Sequence, residues 1–328
     1  MIDLNLAEGP LVEPRASGHP PILVTGMTRT GTTWLATMLD ASRHVVYINE
    51  PLNPQHPPGG SPGILGIPPV AHRFQYICED NEADYLGPYR ELLRLRYHPW
   101  RELRRNHAPS DLPRIARGIV NFGVGRLRGK RPLIADPFAI FSTDWFQRRL
   151  RCQVVVAVRH PAAVVSSRKR LGWRTDFDQL LDQPLLVRDL LGPYRGRLES
   201  MRDRGDDLVG QGSHLWCGIY GSLIGRLTAS SELLVVRHED LSRDPCGEFE
   251  RLYAALHLPF SPRVRRVIER ASMAGNASEV SVGHPHRVRL DSRANLENWR
   301  RRLTAEEIAR IRSITSEAAS HYYPDIDW

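Results

Sequence analysis

Pro21-Ile-Leu-Val-Thr-Gly26-Met-Thr-Arg29-Thr-Gly31-Thr-Thr-Trp34 is the stretch on which the fold turns. Residues 21 to 25 form a short apolar run that ends in a glycine-bounded loop, Gly26 to Gly31. Beyond it Trp34, Leu35, Met38 and Leu39 recur at helical spacing, and Thr32 or Thr33 can donate at the first turn. Strand, glycine loop and helix in this order set backbone amides at a helix N-terminus, where they can cradle an anion. The loop nearly fits the phosphate-loop pattern G-x-x-x-x-G-K-S/T, with Thr32 where lysine is required and a cation, Arg29, inside the loop instead. That lysine is what reaches the β- and γ-phosphates of a nucleoside triphosphate, so its absence leaves an anion cradle poorly equipped for triphosphate transfer. Taken alone, the loop is also compatible with an ordinary glycine turn between a strand and a helix.

Outward from the loop, the same punctuation repeats. Val45 to Ile48 is apolar and leads into Asn49-Glu50-Pro51, where the proline ends regular structure. Pro132 to Ala135 precedes Asp136-Pro137, with a helix expected from about 142 to 150. Gln153 to Val158 is apolar on both faces, as a central parallel strand covered by helices would be. Leu233 to Val236 is a further such run, with helices expected at about 245 to 257 and 304 to 318. Strands alternating with helices predict an α/β fold with a central, mostly parallel β-sheet flanked by helices, in one domain spanning 1 to 328. Residues 52 to about 130, turn-rich and then Arg-rich and aromatic, are expected to form an inserted cap. Ligands of such sheets bind beyond the carboxyl ends of strands, where Glu50, Asp136, Arg159 and the glycine loop all fall.

A second anion site is legible after the buried strand. Arg159 stands at the strand exit, Pro161 suits a first helical position, and Ser167 lies two turns into the helix, so that guanidinium and hydroxyl can grip one phosphate. Alone, Arg159 reads equally well as a surface charge. Two anion sites on one sheet, one built on a loop without lysine, point to a nucleotide with phosphates at both its 5′ and 3′ ends.

In these residues the chain resembles the sulfotransferases that depend on 3′-phosphoadenosine 5′-phosphosulfate (PAPS). Their 5′-phosphosulfate loop reads roughly basic-Ser/Thr-Gly-Ser/Thr-Ser/Thr-Trp/Leu, matched here by Arg29, Thr30, Gly31, Thr32, Thr33 and Trp34. Their 3′-phosphate motif reads R-x-P-x-x-x-x-x-S, matched by Arg159, Pro161 and Ser167. The resemblance covers roughly residues 20 to 50 and 130 to 328. It includes Val236-Arg-His-Glu-Asp-Leu241, where His238 replaces a tyrosine common in cytosolic members. The late Arg-Lys-Gly that closes over the 3′-phosphate in those members is absent, and Arg289, Ser292 and Arg293 are the candidates to replace it. The resemblance implies a phosphate-loop-like sulfotransferase fold with the 52–130 cap forming the acceptor pocket. It also implies PAPS as donor and adenosine 3′,5′-bisphosphate (PAP) as product.

Sulfuryl transfer needs a base for the acceptor hydroxyl and a cation for the charge developing on the leaving phosphate. The tyrosyl-protein and many carbohydrate or bacterial members use a glutamate at the end of the second strand, often followed by proline, and Glu50-Pro51 matches that pattern. Glu50 is therefore the expected general base and Arg29 the expected stabiliser of the leaving group. Without the resemblance, Glu50 reads as a loop carboxylate paired with a nearby arginine. Asp136 reads either as an orienting group for Arg29 or the acceptor, or as a turn residue beside Pro137.

Composition sets outer bounds. A net charge of +8 suits a protein that handles anions, although nearly all the basic residues are arginine, with lysine only at Lys130 and Lys169. Cys78, Cys152, Cys217 and Cys246 form no C-x-x-C pair, and His284-Pro-His286 has no metal-ligand spacing, so no metal is expected. With neither an apolar leader nor an 18-residue apolar run, the expectation is a cytoplasmic protein with no membrane span. The expected partner is a small-molecule or carbohydrate hydroxyl acceptor, not nucleic acid. The leading alternative is a phosphate-loop kinase, which would share the sheet but should carry Gly-Lys-Ser/Thr. A nucleic-acid binder is disfavoured because the arginines of 90 to 105 and 114 to 131 are interleaved with Leu and Glu at helical spacing.

Overall fold

A computed structural model describes residues 18–54, 70–105, 109–229, 233–279, 288–323 and 328. Among them are five strands: β1 (Ile22–Gly26), β2 (Val45–Asn49), β3 (Arg131–Ala135), β4 (Gln153–Val158) and β5 (Leu233–Arg237). All pair in parallel, in the order β2-β3-β1-β4-β5. Leu23 of β1 lies opposite Ile134 on one side and Val154 on the other. From β1 the chain passes beyond β3 to β2, returns to place β3 against β1, and then moves to the opposite side for β4. This reversal makes the carboxyl end of β1 the topological switch point, where an open α/β sheet forms its ligand crevice.

The strands sit where the apolar runs place them because both faces are covered. Leu23, Ile48, Ile134, Val154 and Val156 face one buried cluster, while Ile22, Val24, Leu133, Val155 and Ala157 face a second. Alternation of period two with apolar residues at both phases is how a strand buried on both sides reads. Gly26 at the exit of β1 has φ +153°, and a Cβ there would collide with the carbonyl oxygen of Ala157 in β4. The turn into the loop therefore requires glycine.

Helices Thr32–Asp40 and Pro245–Ala255 cover the second cluster, with the Tyr253 hydroxyl donating to the Met38 carbonyl. The first cluster is covered by the Leu208–Ala229 helix and by the Ala305–Ser320 helix packed on it. The predicted C-terminal helices thus appear at Pro245–Ala255 and Ala305–Ser320, the latter started by a capping box between Thr304 and Glu307. The helix expected over 142 to 150 appears as Thr143–Arg148, preceded by a 3₁₀ turn, Pro137–Ser142.

The 52–130 stretch, expected to form an inserted cap, is described in part. Its described helices, Ala83–Leu93, Pro99–Arg105 and Leu112–Leu127, extend the core beside β2. Tyr89 packs edge-on against Trp145 and Phe146, and Gly125 lies against Val46 of β2. Phe74, Tyr85 and Tyr89 are core residues. Aromatic area buries most favourably against the sheet, and of the described residues in this stretch Asn53 and Arg73 line the central cavity.

Candidate active site

The carboxyl ends of β1, β2 and β4 open on one cavity of about 600 Å³. Arg29, Gly31, Thr32, Thr33, Trp34, Glu50, Arg159, Ser167 and Ser292 line it together, so two motifs 130 residues apart in sequence share a single space.

The loop is held from behind. The Tyr220 hydroxyl donates to the Ala157 carbonyl at 2.7 Å and accepts from the Met27 amide at 3.0 Å, pinning the loop base to β4. Thr30 closes the turn by donating from its hydroxyl to the Met27 carbonyl at 2.7 Å. Arg168 donates to the Thr28 hydroxyl at 3.0 Å and the Thr175 hydroxyl at 2.8 Å. Gly31 has φ +94° and lies against the His238 ring, where a Cβ would come within 2.7 Å of Nδ1. No side chain caps the Thr32–Asp40 helix, so its first-turn amides face the cavity ready for an anion.

Around this cradle stands a concentration of positive charge. Arg29 donates from Nε to the Ser167 hydroxyl at 3.1 Å and lies 5.6 Å from the centre of the Trp173 ring. Arg159, buried, donates from Nη1 to the Arg29 carbonyl at 3.2 Å, while its Nε is buried without a hydrogen-bond partner. Burial, followed by repulsion from Arg159 and Arg170, pulls the Arg29 pKa down to about 10. Burial, followed by Arg73 and Arg29, does the same to Arg168. Both remain protonated at neutral pH. Arg29 and Arg159 at the cavity wall, with Arg168 behind the loop, gather positive charge that an anion of two or more charges would neutralise. His238 stays neutral, its pKa held well below the usual value by burial and then by Arg159.

Glu50 directly follows β2 with φ +41°, a left-handed conformation uncommon for a residue with a Cβ. Arg29, at φ +79°, shares this feature. Such strain costs on the order of 1–3 kcal/mol and persists only where surrounding bonds enforce it. Here the Glu50 amide extends the ladder to the Ala135 carbonyl at 2.8 Å, and the next turn is tied by the Leu52 amide donating to Asp136 Oδ2 at 2.6 Å. Asn53 donates to Glu50 Oε2 at 2.6 Å.

Asp136 is resolved in favour of the turn role. It is fully buried and accepts from the Leu52 and Phe138 amides, the latter at 2.9 Å as cap of the Pro137–Ser142 turn. It touches neither the cavity nor Arg29. Burial pushes its pKa up to about 8, against the pull of these backbone donors and with the Glu50 charge adding to the rise.

The late residues separate. Ser292 is buried at the cavity wall and donates to the Ser242 carbonyl at 2.9 Å. Arg293 is exposed and donates to the Arg243 carbonyl, closing the end of the His238–Arg243 helix. Arg289 is exposed and is not among the cavity-lining residues. The cations that do reach the cavity near Ser167 are Arg170 and Arg302, both paired with Glu279. Sequence reading missed them, as it missed Arg73 on the Glu50 side. Arg170 had a signal, since it follows Ser167 by three positions on one helix; the other two had none. Among the described residues no cluster of His, Cys, Asp or Glu could hold a metal; His284 and His286 lie outside them.

A profile of the sulfotransferase family matches residues 20–262. Carbohydrate sulfotransferase 1 from Rattus norvegicus is 23% identical over 348 residues, covering 92% of this chain and 78% of that protein, and the Homo sapiens protein gives the same identity and coverage. Carbohydrate sulfotransferase 3 from Mus musculus is 27% identical over 184 residues, 54% of this chain and 32% of that protein. Among solved structures, a sulfotransferase domain from the curacin biosynthetic pathway superposes with a TM-score of 0.45 at 17% identity, covering 90% of this chain and 98% of that one. Mouse sulfotransferase SULT7A1 complexed with PAP gives 0.43 at 12% identity, covering 95% and 88%. With a parallel sheet, a glycine loop that carries Arg29 and lacks the phosphate-loop lysine, and a family profile spanning most of its length, the chain belongs to the sulfotransferase family and is a transferase enzyme.

Proposed function

We propose that this enzyme takes the sulfuryl group from PAPS and places it on a hydroxyl of a small-molecule or carbohydrate acceptor, with Glu50 as general base. The observation that carries the reading is the single cavity in which an uncapped helix N-terminus faces Arg29 and the buried Arg159. The fit to the donor is chemical. Loop amides from Thr30 to Thr33 with Arg29 suit a 5′-phosphate, and Arg159, whose buried Nε lacks a partner, suits a 3′-phosphate together with Ser167. Arg170, Arg302 and Ser292 flank that second site, while Arg289 does not line the cavity and Arg293 donates to the Arg243 carbonyl. When bound, PAPS supplies an activated sulfuryl group whose departure leaves adenosine 3′,5′-bisphosphate.

Glu50 accepts the proton as the acceptor oxygen forms its bond to sulfur, and Arg29 with the loop amides stabilises charge building on the departing phosphate oxygen. The Asn53 amide orients the Glu50 carboxylate. The names of the carbohydrate sulfotransferase relatives favour a sugar hydroxyl as acceptor. A thermal-shift comparison tests the donor site. PAP at 100 times its Kd should stabilise the fold by about 2.7 kcal/mol. Adenosine 5′-monophosphate should do less, and ATP with magnesium least. Greater stabilisation by ATP with magnesium than by PAP would favour a kinase instead.

A further inference from the structure

The Leu112–Leu127 helix has two apolar faces, and the core uses one. Ile115, Gly118, Phe122 and Gly125 recur at spacings of three and four and are buried. Leu112, Ile119, Val120, Val124 and Leu127 fall on a different arc and are exposed, Leu112 by 55%, Val120 by 63% and Leu127 by 89%. Ala116 and Gly123 fill the same arc and are exposed as well. At 1.5 Å per residue the stripe runs about 24 Å. Trp100, on the Pro99–Arg105 helix that packs against it, is 75% exposed. Scattered exposed aliphatics are normal, but a continuous stripe along a whole helix marks an interaction surface.

Its charge identifies the partner. Residues 99 to 130 hold eight basic and two acidic side chains, a net of +6 within a chain whose total is +8. No acid occurs from 112 to 130. Arg117, Arg126 and Arg128, all exposed, stand outside the stripe, and the two acids of the region, Glu102 and Asp111, are both engaged by Arg114. An apolar strip bordered by arginine, with an exposed tryptophan beside it, is the composition of a helix that lies in a bilayer interface and takes anionic headgroups at its rim. A nucleic acid has no use for the aliphatic centre. A second copy paired about a twofold axis would set Arg117, Arg126 and Arg128 of the two copies against each other.

We propose that the Leu112–Leu127 helix docks this enzyme peripherally on anionic membrane, with its aliphatic stripe at the level of the acyl boundary and its arginines on the lipid phosphates. This is surface attachment; among the described residues no helix is long and apolar enough to cross a membrane. It stands independently of the donor and the base.

Vesicle flotation of the full chain tests it, using phosphatidylglycerol and phosphatidylcholine at 1:1 beside phosphatidylcholine alone, each in 0.1 M and 0.5 M NaCl. The protein should float with the mixed vesicles at low salt, lose most of that binding at high salt, and ignore phosphatidylcholine. Ile119→Ser with Val120→Ser and Leu127→Ser should weaken flotation at least tenfold while PAP affinity and melting temperature stay near wild type. Leu127→Ser alone, at the most exposed site, should weaken it measurably even if the triple variant melts early. Arg117→Glu with Arg126→Glu and Arg128→Glu should weaken it by about a hundredfold. Absence of flotation with the mixed vesicles, flotation unchanged by both serine variants, or a dimer that those variants dissolve would each overturn the proposal.

Discussion

Arg159→Met separates the demands of the fold from those of the ligand. In the unliganded protein the Arg159 guanidinium is buried, makes one hydrogen bond to the Arg29 carbonyl at 3.2 Å, and keeps Nε without a partner. Its pKa is lowered by burial first, and the favourable charge of Glu239 does not offset this. The folded environment is thus a poorer host for this charge than water is, and a neutral, unbranched side chain that fills the space of its aliphatic stem should cost the fold little. The variant should melt within about 2 °C of wild type, or above it. Binding should behave oppositely. Loss of a charge-assisted contact to phosphate removes about 1.5–3 kcal/mol, which is a roughly ten- to hundredfold rise in Kd for PAP. Titration calorimetry measures the Kd and a melting curve the stability. A variant that melts well below wild type yet binds PAP unchanged would refute the reasoning, since Arg159 would then be a structural residue.

Three further outcomes follow from the site. Glu50→Gln should keep PAP affinity within about twofold while turnover falls by about 10²–10⁴; a joint loss of affinity, melting temperature and turnover would reduce Glu50 to a positioning role. Gly31→Ala forces a Cβ against His238 at φ +94°, and should cost about 1–3 kcal/mol of stability and weaken PAP, with His238→Ala relieving only part of the loss. Asp136, with its pKa raised to about 8, binds a proton in the folded state that the unfolded chain has released above about pH 4. Wild-type stability should therefore fall relative to Asp136→Asn as pH rises from 4 to 8 and run parallel to it above 8; a difference that grows in favour of wild type over that range would contradict the shift.

The sheet and loop were legible because each buried parallel strand is a continuous apolar run whose carboxyl end carries a polar or glycine signal. The Leu208–Ala229 helix was not. It contains glycines at 210, 212, 218, 221 and 225, which weaken any helical reading by propensity. Their reason is tertiary: Gly212 meets Val165 and Gly221 meets the Tyr194 hydroxyl, so larger residues would hold the helices apart. That helix brings Tyr220 to the loop, a contact across 193 positions with no local pattern. Arg29, Arg159, Ser167 and Glu50 were found from motifs and share the cavity. Arg73 and Arg302 reach it by tertiary packing alone, while Arg293 donates to the Arg243 carbonyl at a helix end.

Donor turnover tests the proposed chemistry most directly. Purified protein is given PAPS with a panel of sugar and small-molecule hydroxyl compounds, without added metal, and release of adenosine 3′,5′-bisphosphate is followed alongside sulfated product. Acceptor-dependent formation of the two in equal amounts is expected, at a rate that collapses in Glu50→Gln. No bisphosphate release with any acceptor, together with phosphoryl transfer from ATP and magnesium to one of the same hydroxyls, would contradict it.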